Sequence, residues 1–85
     1  MSNYYHPYQD QGDTRVFSSN VSQDQLVWHR DREDRVVEVV GETDWQFQFD
    51  NQLPQPLKTI LFIPKGVYHR LIKGNNTLEI KITKL

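Results

Sequence analysis

The chain has 85 residues, 36% hydrophobic and 25% charged, with a formal net charge of −1 and a pI of about 6.3. That length makes one domain with a core near the lower limit for independent folding, and the near-neutral balance gives no electrostatic case for nucleic acid or an anionic membrane as partner. No cysteine, no apolar stretch of membrane-spanning length and no signal-peptide core among the first residues exclude a disulfide framework and thiolate ligands, and lead to the expectation of a soluble, cytoplasmic protein.

Residues 1–12 read as a polar arm. Tyr4, Tyr5 and Tyr8 are set among Gln, Asn, Pro7 and Gly12, with neither the helical nor the strand period. Residues 13–85 read as the folded domain. Strand signals recur at 15–18, 25–31, 35–40, 45–49, 57–63, 67–72 and 77–83. Two of them alternate cleanly: Trp45, Phe47 and Phe49 interleave with Gln46 and Gln48, and Leu78, Ile80 and Ile82 interleave with Glu79 and Lys81. Period two marks a half-buried strand, so these aromatics read as core rather than as a stacking platform. Gly41 to Asp44, Asp50 with Asn51, Pro54 with Pro56, and Gly74 to Asn76 supply the turns between them. Nothing reads as a long amphipathic helix. Regularly spaced short strands predict an all-β sandwich or barrel.

Two stretches carry the chemistry. The first is His29-Arg30-Asp31, where strand-like spacing turns His29 and Asp31 to one face. The second is Pro64-Lys65-Gly66-Val67-Tyr68-His69, following the apolar run Ile60 to Ile63. Pro64 stops that run because it cannot donate to a ladder, and Gly66 permits the tight reversal that starts the strand carrying His69. Two imidazoles and one carboxylate facing a common interior make a three-ligand site with open positions for Fe(II), Mn(II), Ni(II) or Zn(II). Without an ion, His29, Asp31 and His69 would instead form a buried hydrogen-bonded cluster, since a buried carboxylate requires partners. Between the stretches, Arg30 to Arg35 alternates in sign, as a solvated segment does, although one arginine could also reach the interior to hold a substrate carboxylate. Trp28 and Arg70 alternate with the histidines and should point away from the interior.

These residues resemble the two motifs of the cupin family. Pro64, Gly66 and His69 match the P-x-G-x-x-H of the second motif, with Lys73 and Lys58 where Asn and Gly are usual. His29, then Asp31 in place of a second His, then Gly41 follow the first motif. Its downstream acid is met by Asp34 or Glu33 one residue early, and a slip of register puts Arg35 in that place. The resemblance implies a short cupin-type double-stranded β-helix, a jelly-roll barrel, over residues 13–85. It implies a divalent metal held by His29, Asp31 and His69, binding or modifying a small polar molecule, with dioxygenase-like or isomerase-like activity if the protein is an enzyme. The sequence also resembles short cupin-like proteins encoded by bacterial viruses of marine hosts. That implies the alternative of a metal-free, non-catalytic barrel serving as an interaction module or viral accessory or structural protein. A barrel this short leaves edges that must be covered. The expectation is a homodimer, pairing residues 14–18 across a two-fold axis with help from the tyrosine-rich arm.

Overall fold

Period-two apolar patterning and glycine-bearing turns produce eight short strands in this computed structural model, which describes residues 8–57 and 59–85. Strands β1 (Tyr8–Gln11) and β2 (Thr14–Phe17) form a hairpin, and Gly12 sits in its turn at φ +67°, a left-handed conformation that suits glycine. Strands β3 (Arg35–Val39), β6 (Ile60–Ile63) and β8 (Leu78–Lys84) join them in an antiparallel sheet of order β1-β2-β8-β3-β6. A second antiparallel sheet has the order β5-β4-β7, from β4 (Gln46–Phe49), β5 (Gln55–Pro56) and β7 (His69–Ile72). His29 adds to it as a single-residue bridge on His69.

The core lies between the two sheets. Phe17, Val37, Val39, Ile63, Leu78 and Ile80 face it from the larger sheet, and Trp45, just before β4, and Phe47, within it, from the opposite side. Leu78 and Ile80 are buried while Glu79 and Lys81 between them are exposed, as the alternation requires. Each such side chain contributes about 1.5–3 kcal/mol of hydrophobic stabilisation. Trp45, 1% exposed, is the largest of them, and its indole N–H donates to the Asn76 carbonyl. Buried indoles require such a partner.

The protein is therefore all-β, as expected, but the two sheets share no strand among the described residues and do not close into one barrel. Three expectations are corrected. Residues 25–31 do not form a strand: Gln23–Gln25 is a 3-10 turn, and only His29 pairs. Side chains win over the ladder there. Gln25 accepts from the Ser22 amide at 3.0 Å, while Gln23 donates to the Leu71 carbonyl at 3.0 Å and accepts from the Lys73 amide at 2.8 Å. The end of the expected arm, Tyr8–Gln11, is a strand, because β2 offers it a ladder. For the same reason residues 14–18 present no unpaired edge. Strand β2 is flanked by β1 and β8, so the outer strands of that sheet are β1 and β6. Residues 1–7, which hold Tyr4, Tyr5 and His6, lie outside the described residues, as does Lys58.

The turn before β8 packs against the start of β4 with no room to spare. A methyl group on Gly74 would collide with the Asp44 carboxylate and lie 2.6 Å from Trp45 Cδ1 and 2.8 Å from the Trp45 amide nitrogen. The same carboxylate accepts from the Asn75 amide at 2.9 Å and from its side chain at 2.8 Å, and the Asn75 bonds hold Asp44 below the usual carboxylate range. Gly74→Ala should therefore lower stability by about 1–3 kcal/mol, the usual cost of overpacking. Urea denaturation would measure it, and an unchanged midpoint would mean that this approach is not tight in solution.

Candidate metal centre

The site is assembled by backbone hydrogen bonds before any side chain contributes. His29 and His69 exchange both bonds of an antiparallel pair, His29 N–H to His69 C=O at 3.0 Å and the reverse at 2.9 Å. Gly66, at φ +77°, turns the chain so that its N–H donates to the Asp31 carbonyl at 2.9 Å. Beside it, the Lys65 N–H donates to Asp34 Oδ1 at 2.8 Å. Pro64 to Gly66 is thus stitched to residues 31–34, and His69 stands at a set distance from Asp31. His29, Asp31 and His69 converge as expected, with one ligand atom from each lying within 4.8 Å of the others.

The tautomers follow from the hydrogen bonds. His29 Nδ1 lies 3.1 Å from the Val27 carbonyl, and His69 Nδ1 lies 2.9 Å from that of Val67. A carbonyl only accepts, so each Nδ1 carries a proton and each neutral ring has its lone pair on Nε2. Both Nε2 atoms face Asp31, at 4.0 Å from Oδ1 for His29 and 3.5 Å from Oδ2 for His69. His69 is buried and stacks on the Phe47 ring at 5.4 Å, whereas the His29 side chain is half exposed. Burial holds His69 below the ordinary histidine range. His29 and Arg35 act in the same direction, and the Val67 carbonyl and Asp31 oppose them.

Asp31 Oδ2 is buried and has no hydrogen-bond partner. An unpartnered buried oxygen costs about 1–3 kcal/mol, and more when charged. Two imidazole lone pairs aimed at a carboxylate add repulsion that a cation at their centre would remove. The donor set suits one in kind: tetrahedral Zn(II), with donors at about 2.0–2.1 Å, spaces neighbouring donors by about 3.3–3.4 Å, matched by the 3.5 Å from His69 to Asp31, whereas the 4.0 Å from His29 would have to shorten. The carbonyls on Nδ1 are the outer partners that orient ligating histidines.

Neither Asp34 nor Glu33 joins the cluster. Asp34 is taken up by the turn, and Glu33 Oε2 receives Arg35 Nε at 2.6 Å, a bond that lowers the Glu33 pKa. Arg35 occupies the place instead, with Nη1 3.3 Å from Asp31 Oδ1. Sequence reasoning left Arg35 as one alternative, although a signal was present: Arg35 shares its strand face with buried Val37 and Val39. Trp28 and Arg70 point outward as expected, with the Arg70 guanidinium 4.8 Å from the indole ring centre. Arg30 packs similarly on Tyr68, at 5.2 Å.

No family model and no curated protein sequence matches the chain. The fold is similar to the crystal structure of protein NMB1881 from Neisseria meningitidis, with a TM-score of 0.53 and 21% identity over all of this chain and 88% of that one. At that identity the likeness concerns the fold alone. The described residues include no helix long and apolar enough to cross a membrane.

Because burial depresses the His69 pKa, the unfolded chain binds its proton first, and stability rises with pH where the two states differ. In metal-free protein this contribution is complete above the ordinary value of about 6.5 and is lost as pH falls through the lower, folded value. Denaturation across that range should show this loss, and His69→Gln should flatten the slope. An equal slope in the variant would assign the pH dependence to another group.

Proposed function

We propose that this chain is a small cupin-type protein that holds one divalent first-row transition ion through His29 Nε2, His69 Nε2 and Asp31. The observation that carries the reading is the buried, unpartnered Asp31 Oδ2 beside His69 Nε2, with His29 Nε2 against the other oxygen of the same carboxylate and the outer nitrogens of both rings already engaged. Strand order supports the cupin fold. Counting from β2 and taking the His29 bridge as the second of eight strands, the sheets run first-eighth-third-sixth and second-seventh-fourth-fifth. That is the interleaving of a jelly roll, in which two Greek keys fold over each other.

Three protein ligands leave positions open to a small polar molecule, and a bound ion there supplies Lewis-acid or oxygen-activating chemistry of the dioxygenase or isomerase kind. The chain's own residues orient the site. Val27 and Val67 fix the imidazole tautomers, Phe47 screens His69 from water, and Arg35 offsets part of the combined charge of Asp31 and Glu33. A second reading has one observation in its favour: Arg35 already brings a cation to Asp31, as a metal-free, non-catalytic domain would require.

Elemental analysis of protein purified without a chelating tag, followed by calorimetric titration with Zn(II), Mn(II) and Ni(II), separates the two readings. One ion per chain is expected. Affinity should fall as pH drops through the histidine range, because the ligands must be neutral imidazole and carboxylate. His69→Ala should abolish binding while the chain stays folded. Absence of affinity in the wild-type chain at neutral pH would leave the metal-free reading, and unchanged stoichiometry in the variant would place the ion elsewhere.

A further inference from the structure

The cluster forms one end of a cavity of about 60 Å³ between the sheets, well above the roughly 10–15 Å³ that a single water requires. Most of its remaining wall is hydrocarbon, including Phe17, Val37, Phe47, Ile63, Leu71 and Ile80. Three charged side chains reach it: Arg15, Asp31 and Arg35. Each guanidinium has a carboxylate partner of its own, Asp10 for Arg15 and Glu33 for Arg35, so the engagement of each matters more than the count of charges. Arg15 is engaged, held by Asp10 at 2.8 and 3.4 Å, with the Tyr8 ring 3.9 Å from its guanidinium carbon. Arg35 is only partly engaged. Its Nε is bound by Glu33, but among the described residues its terminal nitrogens make no hydrogen bond; Nη1 stands 3.3 Å from Asp31 as an ion pair only. Yet the side chain is only 16% exposed. A guanidinium with five donors, hydrogen-bonded through Nε, ion-paired to Asp31 through Nη1 and largely buried at a cavity wall, keeps terminal N–H groups able to donate to a further anion.

We infer that this cavity takes a small monocarboxylate with a short apolar tail, the carboxylate received by the terminal nitrogens of Arg35 and the tail lying between the sheets. This deepens the function proposed above and rests on it for the location of the site, but not on an ion being bound. The wall favours this class over its neighbours. A second carboxylate on the ligand would lie against hydrocarbon or against Arg15, which Asp10 already engages, and a neutral alcohol would accept from the guanidinium without the charge that strengthens the bond. Glu33 acts here as a positioning residue, holding the guanidinium plane through Nε.

Butyrate is a suitable probe, with n-butanol and succinate as controls. The full chain, metal-free and Zn(II)-loaded, would be followed by methyl NMR. Butyrate should shift the methyl signals of Val37, Ile63, Leu71 and Ile80 saturably, with affinity at least about tenfold above either control. Arg35→Gln should weaken butyrate binding by a similar factor, and Arg35→Lys by less. If Arg35→Gln loses the native spectrum, Leu71→Phe serves in its place, because it narrows the apolar end and keeps the guanidinium. Loss of butyrate binding in that variant supports the inference, and retained affinity overturns it. Equal binding of butanol or succinate, unchanged affinity in a folded Arg35→Gln, or no saturable shift in either form of the protein would also overturn it. The histidine ring signals report zinc separately. Butyrate bound without zinc affinity would remove the metal reading and keep this one; zinc bound without butyrate would do the reverse.

Discussion

Two backbone hydrogen bonds between His29 and His69 are the constraint on which the rest of the site depends. They tie an otherwise irregular segment to the edge of the smaller sheet. Because side chains alternate along an extended chain, one such pair orients more than its own residues. It sends His29 and Asp31 inward, turns Trp28 and Arg30 outward against Arg70 and Tyr68, and brings His69 opposite a carboxylate from a separate part of the chain. A one-residue slip would exchange the inward and outward sets. The stitches from Gly66 to Asp31 and from Lys65 to Asp34 oppose that slip.

The polar end of the interior is a problem of charge as much as of packing. Asp31 is buried on the edge of a core made mainly of Phe, Val, Leu and Ile, where an isolated carboxylate is not tolerated. Arg35 supplies part of the compensation, but its strongest bond goes to Glu33. In the neutral form each imidazole presents a lone pair rather than a proton to Asp31, and burial favours that form for His69. The arrangement is therefore electrostatically incomplete within the chain itself. An ion, a bound anion on Arg35 or a proton would each change the balance at the same few atoms.

The framework was legible in the residues themselves. Trp45 with Phe47 and Leu78 with Ile80 are buried as their alternation requires, because a strand has only two faces and one must leave water. The turn at Pro64 and Gly66, and the shared face of His29 and Asp31, were legible for equally local reasons: a missing N–H, a left-handed φ, and a period of two. The 3-10 turn at Gln23–Gln25 was not. Its stability comes from Gln23 reaching Leu71 and Lys73, partners that are remote in sequence. The strand Tyr8–Gln11 was also hidden, since a polar segment forms an edge strand only if a neighbouring ladder is present to receive it.

What the sequence determined by itself was the all-β class, the inward residues of the main strands, and the identity of the three converging side chains. Only the tertiary structure decided that Arg35, and not Asp34 or Glu33, stands beside Asp31. It alone decided that β2 is an interior strand and that a cavity separates the sheets behind the cluster. The division has one physical cause. Periodicity and turn chemistry act between neighbours in the chain, whereas the competition of Asp34, Glu33 and Arg35 for one place is settled by which donors and acceptors distant segments bring within reach.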